Sequence, residues 1–145
     1  MRCAFLILFF PLFFKGQILV EETVEPVMVG IYKKEKSDVE LSYFVSGSDT
    51  TFHFTYKNEN YSTDYKSLRF KGGLKNLEEL YKLFLAVLIS DDKKELRIKL
   101  GDTNVSLSKN NDSLWFWTDA GYFTIKGEKD LRLLFGKNND PLKKN

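Results

Sequence analysis

Residues 95–125 read ELRIKLGDTNVSLSKNNDSLWFWTDAGYFTI, and the spacing of their apolar residues predicts four short antiparallel strands. Gly101-Asp102 suits a two-residue hairpin turn with glycine first. That turn sets Leu100 opposite Thr103, Ile98 opposite Val105 and Leu96 opposite Leu107. A four-residue loop, Lys109 to Asp112, then places Leu107 opposite Leu114 and Val105 opposite Phe116. A tight turn at Asp119-Ala120 sets Phe116 opposite Phe123 and Leu114 opposite Ile125. Side chains along a strand alternate between faces, so one face collects Leu96, Ile98, Leu100, Val105, Leu107, Leu114, Phe116, Phe123 and Ile125. A one-residue slip in any pair would break this face, so the register is expected to be well specified. The opposite face carries Arg97, Lys99, Asn104, Ser106, Trp115, Trp117, Tyr122 and Thr124.

The first half of the chain repeats this grammar. Val27 to Tyr32 reads as a first strand, followed by a charged loop from Lys33 to Asp38. Val39 to Val45 and Thr50 to Lys57 form a hairpin around Ser46 to Asp49, a run of turn formers. It pairs Tyr43 with Phe52, Leu41 with Phe54 and Val39 with Tyr56 on the apolar face, and Ser42 with His53 and Glu40 with Thr55 on the other. After a polar loop from Asn58 to Asp64, Tyr65 to Phe70 makes a shorter strand. Asn76, with Glu79 three residues on, suits a helix cap, and Leu77 to about Ile89 carries Leu77, Leu80, Tyr81, Phe84, Val87 and Leu88 at helical spacing. Glu78, Glu79 and Lys82 are expected to face water. Near the end, Gly127 is the expected N-cap of a short helix carrying Leu131, Leu134 and Phe135, and Gly136 suits a left-handed stop.

The predicted fold is therefore one α+β domain over residues 17–137, built of antiparallel β-meanders with two helices covering the apolar faces. Its order of four strands then a helix occurs twice. Internal duplication and chance likeness of amphipathic ends both fit this pattern. Residues 138–145 have no apolar periodicity and are expected to be a disordered tail.

At the other end, Arg2 gives a basic start and Cys3 to Phe14 is an apolar run of 12 residues. Such a run suits the core of a secretory signal peptide, about 7–15 residues, better than a membrane span of about 20. Residues 1–16 are read as a signal peptide, with a short buried strand or an uncleaved anchor as the alternatives. No membrane span is expected in the mature chain. Removing residues 1–16 takes away Arg2, Lys15 and no acid, which leaves 20 basic residues against 20 acidic. A neutral domain is a poor electrostatic match for nucleic acid or an anionic membrane. The single cysteine, Cys3, leaves with the same segment, so thiol chemistry and Cys-based metal sites are not expected in the mature form.

Few motifs carry chemistry. His53 is the one histidine, expected on a solvent-facing strand position and without the further ligands a metal site needs. No Gly-x-Ser-x-Gly stands in the chain, and Asp91-Asp92 is a carboxylate pair by type only, in a link between helix and strand. Asn60-Tyr61-Ser62, Asn104-Val105-Ser106 and Asn111-Asp112-Ser113 fit the N-glycosylation pattern. Asp49-Thr50-Thr51 and Asp112-Ser113-Leu114 look like O-glycosylation patterns of Bacteroidota proteins. The remaining constellation is Trp115, Trp117 and Tyr122 on one sheet face, flanked by Arg97 and Lys99. Flat aromatics stack on sugar rings or nucleobases. The competing expectation is that this face packs against the first half of the molecule.

Two resemblances bear on the chain. The Phe- and Leu-rich start ending in Lys15-Gly16-Gln17 resembles signal peptides of Bacteroidota. Asp64-Tyr65-Lys66-Ser67 and the closing Leu134-Phe135-Gly136-Lys137 resemble small uncharacterised exported proteins of flavobacteria. That likeness implies export and transfers no functional residue. Separately, the doubled strand-strand-strand-strand-helix order is similar to that of PUR-type repeats, which implies binding of single-stranded nucleic acid, although no PUR sequence motif is present. The expectation is an exported, periplasmic or secreted, non-enzymatic binding or structural module with no cofactor and with a glycan or another protein as partner. A single-stranded nucleic-acid-binding protein is the alternative, and a small hydrolase the third class.

Overall fold

A computed structural model describes residues 25–138 apart from Ser62 and residues 92–94. The expected signal peptide, residues 17–24, Asp92 and nearly all of the expected tail lie outside the described residues. Within them the order is β1 (Val27–Lys34), β2 (Ser37–Ser46), β3 (Asp49–Lys57), β4 (Tyr65–Lys71), α1 (Leu74–Ile89), β5 (Leu96–Leu100), β6 (Thr103–Asn110), β7 (Ser113–Thr118), β8 (Gly121–Lys126) and α2 (Gly127–Leu134). Strands β1 to β4 form one antiparallel sheet in sequence order and β5 to β8 a second. The α+β class and the doubled four-strand-plus-helix order are thus both present.

Most of the register follows from the alternation of side chains. The β2–β3 pairs Tyr43–Phe52, Leu41–Phe54 and Val39–Tyr56, the β5–β6 pairs and the β7–β8 pairs Phe116–Phe123 and Leu114–Ile125 stand as expected. Besides the 46–49 turn, which closes at Gly47-Ser48 with its register unchanged, two loops are shorter than expected. The charged stretch 33–38 closes as a tight turn at Glu35-Lys36, with Lys34 paired to Ser37. Likewise β6 and β7 run up to Asn110 and Ser113, so only Asn111-Asp112 turns the chain. In each turn one non-glycine residue, Glu35 or Asn111, adopts a positive φ of 52°. Asparagine tolerates this region well. The consequence at β6–β7 is a shift of two residues: Leu107 pairs with Phe116, not Leu114. A shift of two preserves faces, so the apolar set is unchanged.

The helix starts also differ. α1 begins three residues earlier than expected, capped at Gly73, and Asn76 sits at the third helical position. From there its Oδ1 accepts the Gly73 N–H at 2.8 Å, so it closes the first turn from inside. Gly127 is the first residue of α2 rather than its cap. Its N–H donates to the Asp112 carbonyl at 2.9 Å, which ties the helix start to the β6–β7 turn. The α2 end is as expected: with Gly136 at φ 66°, the Gly136 N–H reaches the Leu133 carbonyl and the Lys137 N–H the Arg132 carbonyl, a Schellman stop. Glu78 does not simply face water. It is ion-paired with Lys137 just beyond that stop, and this contact holds its carboxyl below the usual range.

Each helix packs on the half of the molecule it does not follow. α1, which leaves the first sheet, lies over β6 and β7, while α2, which leaves the second, lies over β1 and β2; the helices also touch each other. Edge strand β8 rests against β2 and β3. One continuous core results, rich in aromatic side chains from both sheets and both helical segments. The halves are interlocked, because neither sheet's apolar face is covered mainly by its own helix.

Candidate binding face on the second sheet

The inner face of the second sheet is consumed by the core, which leaves its outer face for function. Register arranges that face in rows across the strands. Arg97, Ser106, Trp117 and Tyr122 form one row. Ser108, Trp115 and Thr124 form the next, and Lys99 pairs with Asn104 on the other side of the first. The four-residue loop expected at 109–112 would have set Trp115, not Trp117, opposite Ser106. The two-residue turn instead brings Trp117 into line with Arg97.

Trp115, Trp117 and Tyr122 are brought together and stack on one another. Ring centroids lie 4.3 Å apart for Trp117–Tyr122, 5.2 Å for Trp115–Tyr122 and 5.5 Å for Trp115–Trp117, with interplanar angles of 28°, 15° and 16°. Cross-strand aromatic pairs of this kind stabilise a sheet as well as offering a platform. Among the described residues the three rings make no ring contact outside the triad, and Trp117 remains 40% exposed. Among the described residues, Trp117 is therefore left open to solvent, while Trp115 and Tyr122 are half-buried.

A groove of about 540 Å³ runs beside Trp117 over β6, lined by Arg97, Lys99, Asn104, Ser106 and Asp119 among others. Its floor is short because the outward residues of β6 are Asn104 and Ser106, while a tryptophan and two long basic side chains stand on either side. The Arg97 Nε donates to Glu95 at 3.0 Å, and Ser106 Oγ donates to the same carboxylate oxygen at 2.6 Å. These two bonds hold the Glu95 carboxyl below its usual range. Lys99 has no side-chain partner among the described residues, and neither basic residue stacks over a ring of the triad. A second groove of about 410 Å³ borders Trp115, where the β1–β2 turn, the β6–β7 turn and β8 converge. Lys36, Glu59, Ser113, Thr124 and Lys126 are in its wall.

Glu59, in the β3–β4 loop, links the two halves at this face. Its N–H donates to the Tyr122 carbonyl at 3.1 Å. Its Oε1 accepts the Thr124 N–H and the Thr124 hydroxyl, each at 2.7 Å, and a hydroxyl bond from Ser37. Backbone and side chain together imitate a neighbouring strand along the free edge of β8, which blunts an otherwise unpaired edge. Neighbouring Asn58 is buried, bonded to Asp64 through Nδ2 at 3.0 Å, and packed so close to Gly121 that a Cβ there would come within 2.5 Å of it. Sequence reasoning placed both residues in an undifferentiated polar loop. An acid held by long-range backbone donors leaves no local signal.

His53 lies in the first sheet, away from this face. It sits between Ser42 and Arg69 in register, and its Nε2 is buried without a hydrogen-bond partner, unlike the solvent-facing position expected. Burial pushes the imidazole below its usual pKa of 6.5; Arg69 adds to the shift and Glu40 opposes it. A histidine whose folded pKa is depressed binds protons more readily when unfolded, so its contribution is complete above 6.5 and is lost as pH falls through the folded value. We expect the melting temperature to fall between pH 7 and pH 5, and the fall to be shallower in His53→Gln. Identical slopes for the two proteins would show that the imidazole does not titrate differently on unfolding.

Among the described residues no group of three or more His, Cys, Asp or Glu side chains could hold a metal ion, and no helix is long and apolar enough to cross a membrane. No family model, curated protein or solved structure matches the chain.

Proposed function

We propose that this chain is an exported, non-enzymatic binding module that takes a glycan on the outer face of its second sheet. The observation that carries this reading is the stacked Trp115, Trp117 and Tyr122, with Trp117 40% exposed beside a groove of amide, hydroxyl and charged groups. Sugar rings present apolar faces to aromatics and hydroxyls to polar neighbours, and this surface supplies both. Charge favours a glycan over a polyanion. The two grooves carry Arg97, Lys99, Lys34, Lys36 and Lys126 but also Asp119, Glu35, Glu59 and Asp112. A phosphate backbone would meet repulsion from four carboxylates, whereas a neutral polyhydroxyl ligand can donate to acids and accept from bases.

Trp117→Ala is expected to leave the fold intact and to weaken glycan binding about fivefold or more, since stacking on one aromatic is worth about 1–3 kcal/mol. Titration against immobilised glycans, with thermal melts as the control, checks this. Unchanged glycan affinity in a folded Trp117→Ala protein would end the proposal. The second reading is a single-stranded nucleic-acid binder, favoured by Arg97 and Lys99 standing beside Trp117 in a doubled four-strand-plus-helix fold. Oligonucleotide affinity that falls steeply with added salt would identify that case.

A further inference from the structure

The two grooves border the same aromatic stack from different sides, one at Trp117 and one at Trp115. Strand β7 connects them. Asp119, just past its end, lines the first, and Ser113, its first residue, lines the second. Six residues of strand separate these positions, about 20 Å at the usual rise. No single sugar ring bridges that distance, yet the aromatic platform lies between the grooves. Resting on the glycan reading above, we infer that the site takes an internal stretch of a linear polysaccharide, laid across Trp117 and Trp115 with both grooves filled, rather than a terminal sugar. The side chains fit this use. Polar groups of both signs line each groove, and Trp115, Trp117, Ser106, Ser108 and Thr124 share the sheet face between them.

Three outcomes separate this inference from the reading beneath it. The test uses the full chain on an array of mono- to hexasaccharides of glucose, mannose, xylose, N-acetylglucosamine and uronic acids. Binding that rises with chain length, with the longest chains at least about tenfold tighter than disaccharides, supports the inference. Asn104→Ala in one groove and Lys126→Ala in the other should then each weaken the longest chains, while a disaccharide responds to one variant at most. Both positions are exposed, so loss of fold is not expected, and melts confirm it. Equal affinity for mono- or disaccharides and long chains would overturn the inference and leave the glycan reading standing. Absence of binding to every member would overturn both.

Discussion

Phe54→Ala is expected to lower the unfolding free energy by about 3–5 kcal/mol, the range for removing a buried phenylalanine. The side chain is fully buried at the middle of β3. Its ring lies 6.1 Å from Phe70 in its own sheet, 6.4 Å from Phe84 on α1, 5.9 Å from Phe116 and 6.4 Å from Phe123 in the second sheet, and 6.4 Å from Phe135 after α2. The cost of a cavity depends on how well its walls collapse. Here the walls belong to both sheets and both helical segments, and none can move inward without leaving other partners. The expected loss therefore lies toward the upper end of the range. Urea melts of the two proteins measure it. A loss below about 1.5 kcal/mol would mean that the five neighbours relax into the space and that the interlocked core is softer than its packing implies.

Alternation made most of this fold legible. Wherever a strand has one apolar face, a one-residue slip is forbidden, and the pairs through Phe54, Ile98 and Phe123 were readable from sequence. A two-residue slip at β6–β7 was not forbidden, because it exchanges Leu114 for Phe116 opposite Leu107 and leaves every side chain on its own face. The two-residue turn that realises it holds Asn111 at φ 52°, a conformation asparagine tolerates. That small choice changes the site, since it aligns Trp117 with Arg97. The aromatic stack itself was visible as same-face residues on β7 and β8. Its exposure was not, because exposure depends on where the first half sits. The crossed placement of the helices was hidden for the same reason: the apolar stripe of α1 says that a face must cover it and not which one. Glu59 illustrates the limit most sharply, since its donors lie 22 residues away in sequence at Ser37 and 65 away at Thr124.

Gly30→Ala should be as damaging as the loss of a core side chain, although it adds one methyl group. Gly30 lies in β1 just after an irregularity in the pairing with β2, and there the strand meets the C-terminal turn of α2. A Cβ at this position would stand 2.3 Å from the carbonyl oxygens of both Leu133 and Leu134. Those are backbone atoms at the end of a helix whose last turn is fixed by the Schellman bonds at Gly136 and Lys137, so they cannot rotate aside as a flexible side chain would. From the other side a Cβ on Gly136 would come within 2.7 Å of the Val29 carbonyl; the joint needs glycine on both surfaces. Alanine at position 30 must lift α2 from the sheet. That loosens Leu131 and Leu134, both fully buried, and Phe135. Overpacking typically costs 1–3 kcal/mol, and an unyielding backbone wall on both contacts places this case at about 3 kcal/mol or more. Gly47→Ala is the control. Gly47 also has a positive φ, 61°, but nothing within 4 Å of its Cβ position, so only the left-handed conformation is penalised, by about 1–2 kcal/mol. Melts in which Gly30→Ala loses no more than Gly47→Ala would show that α2 is not pressed against β1. The crossed helix arrangement, which rests on that contact, would then have to be abandoned.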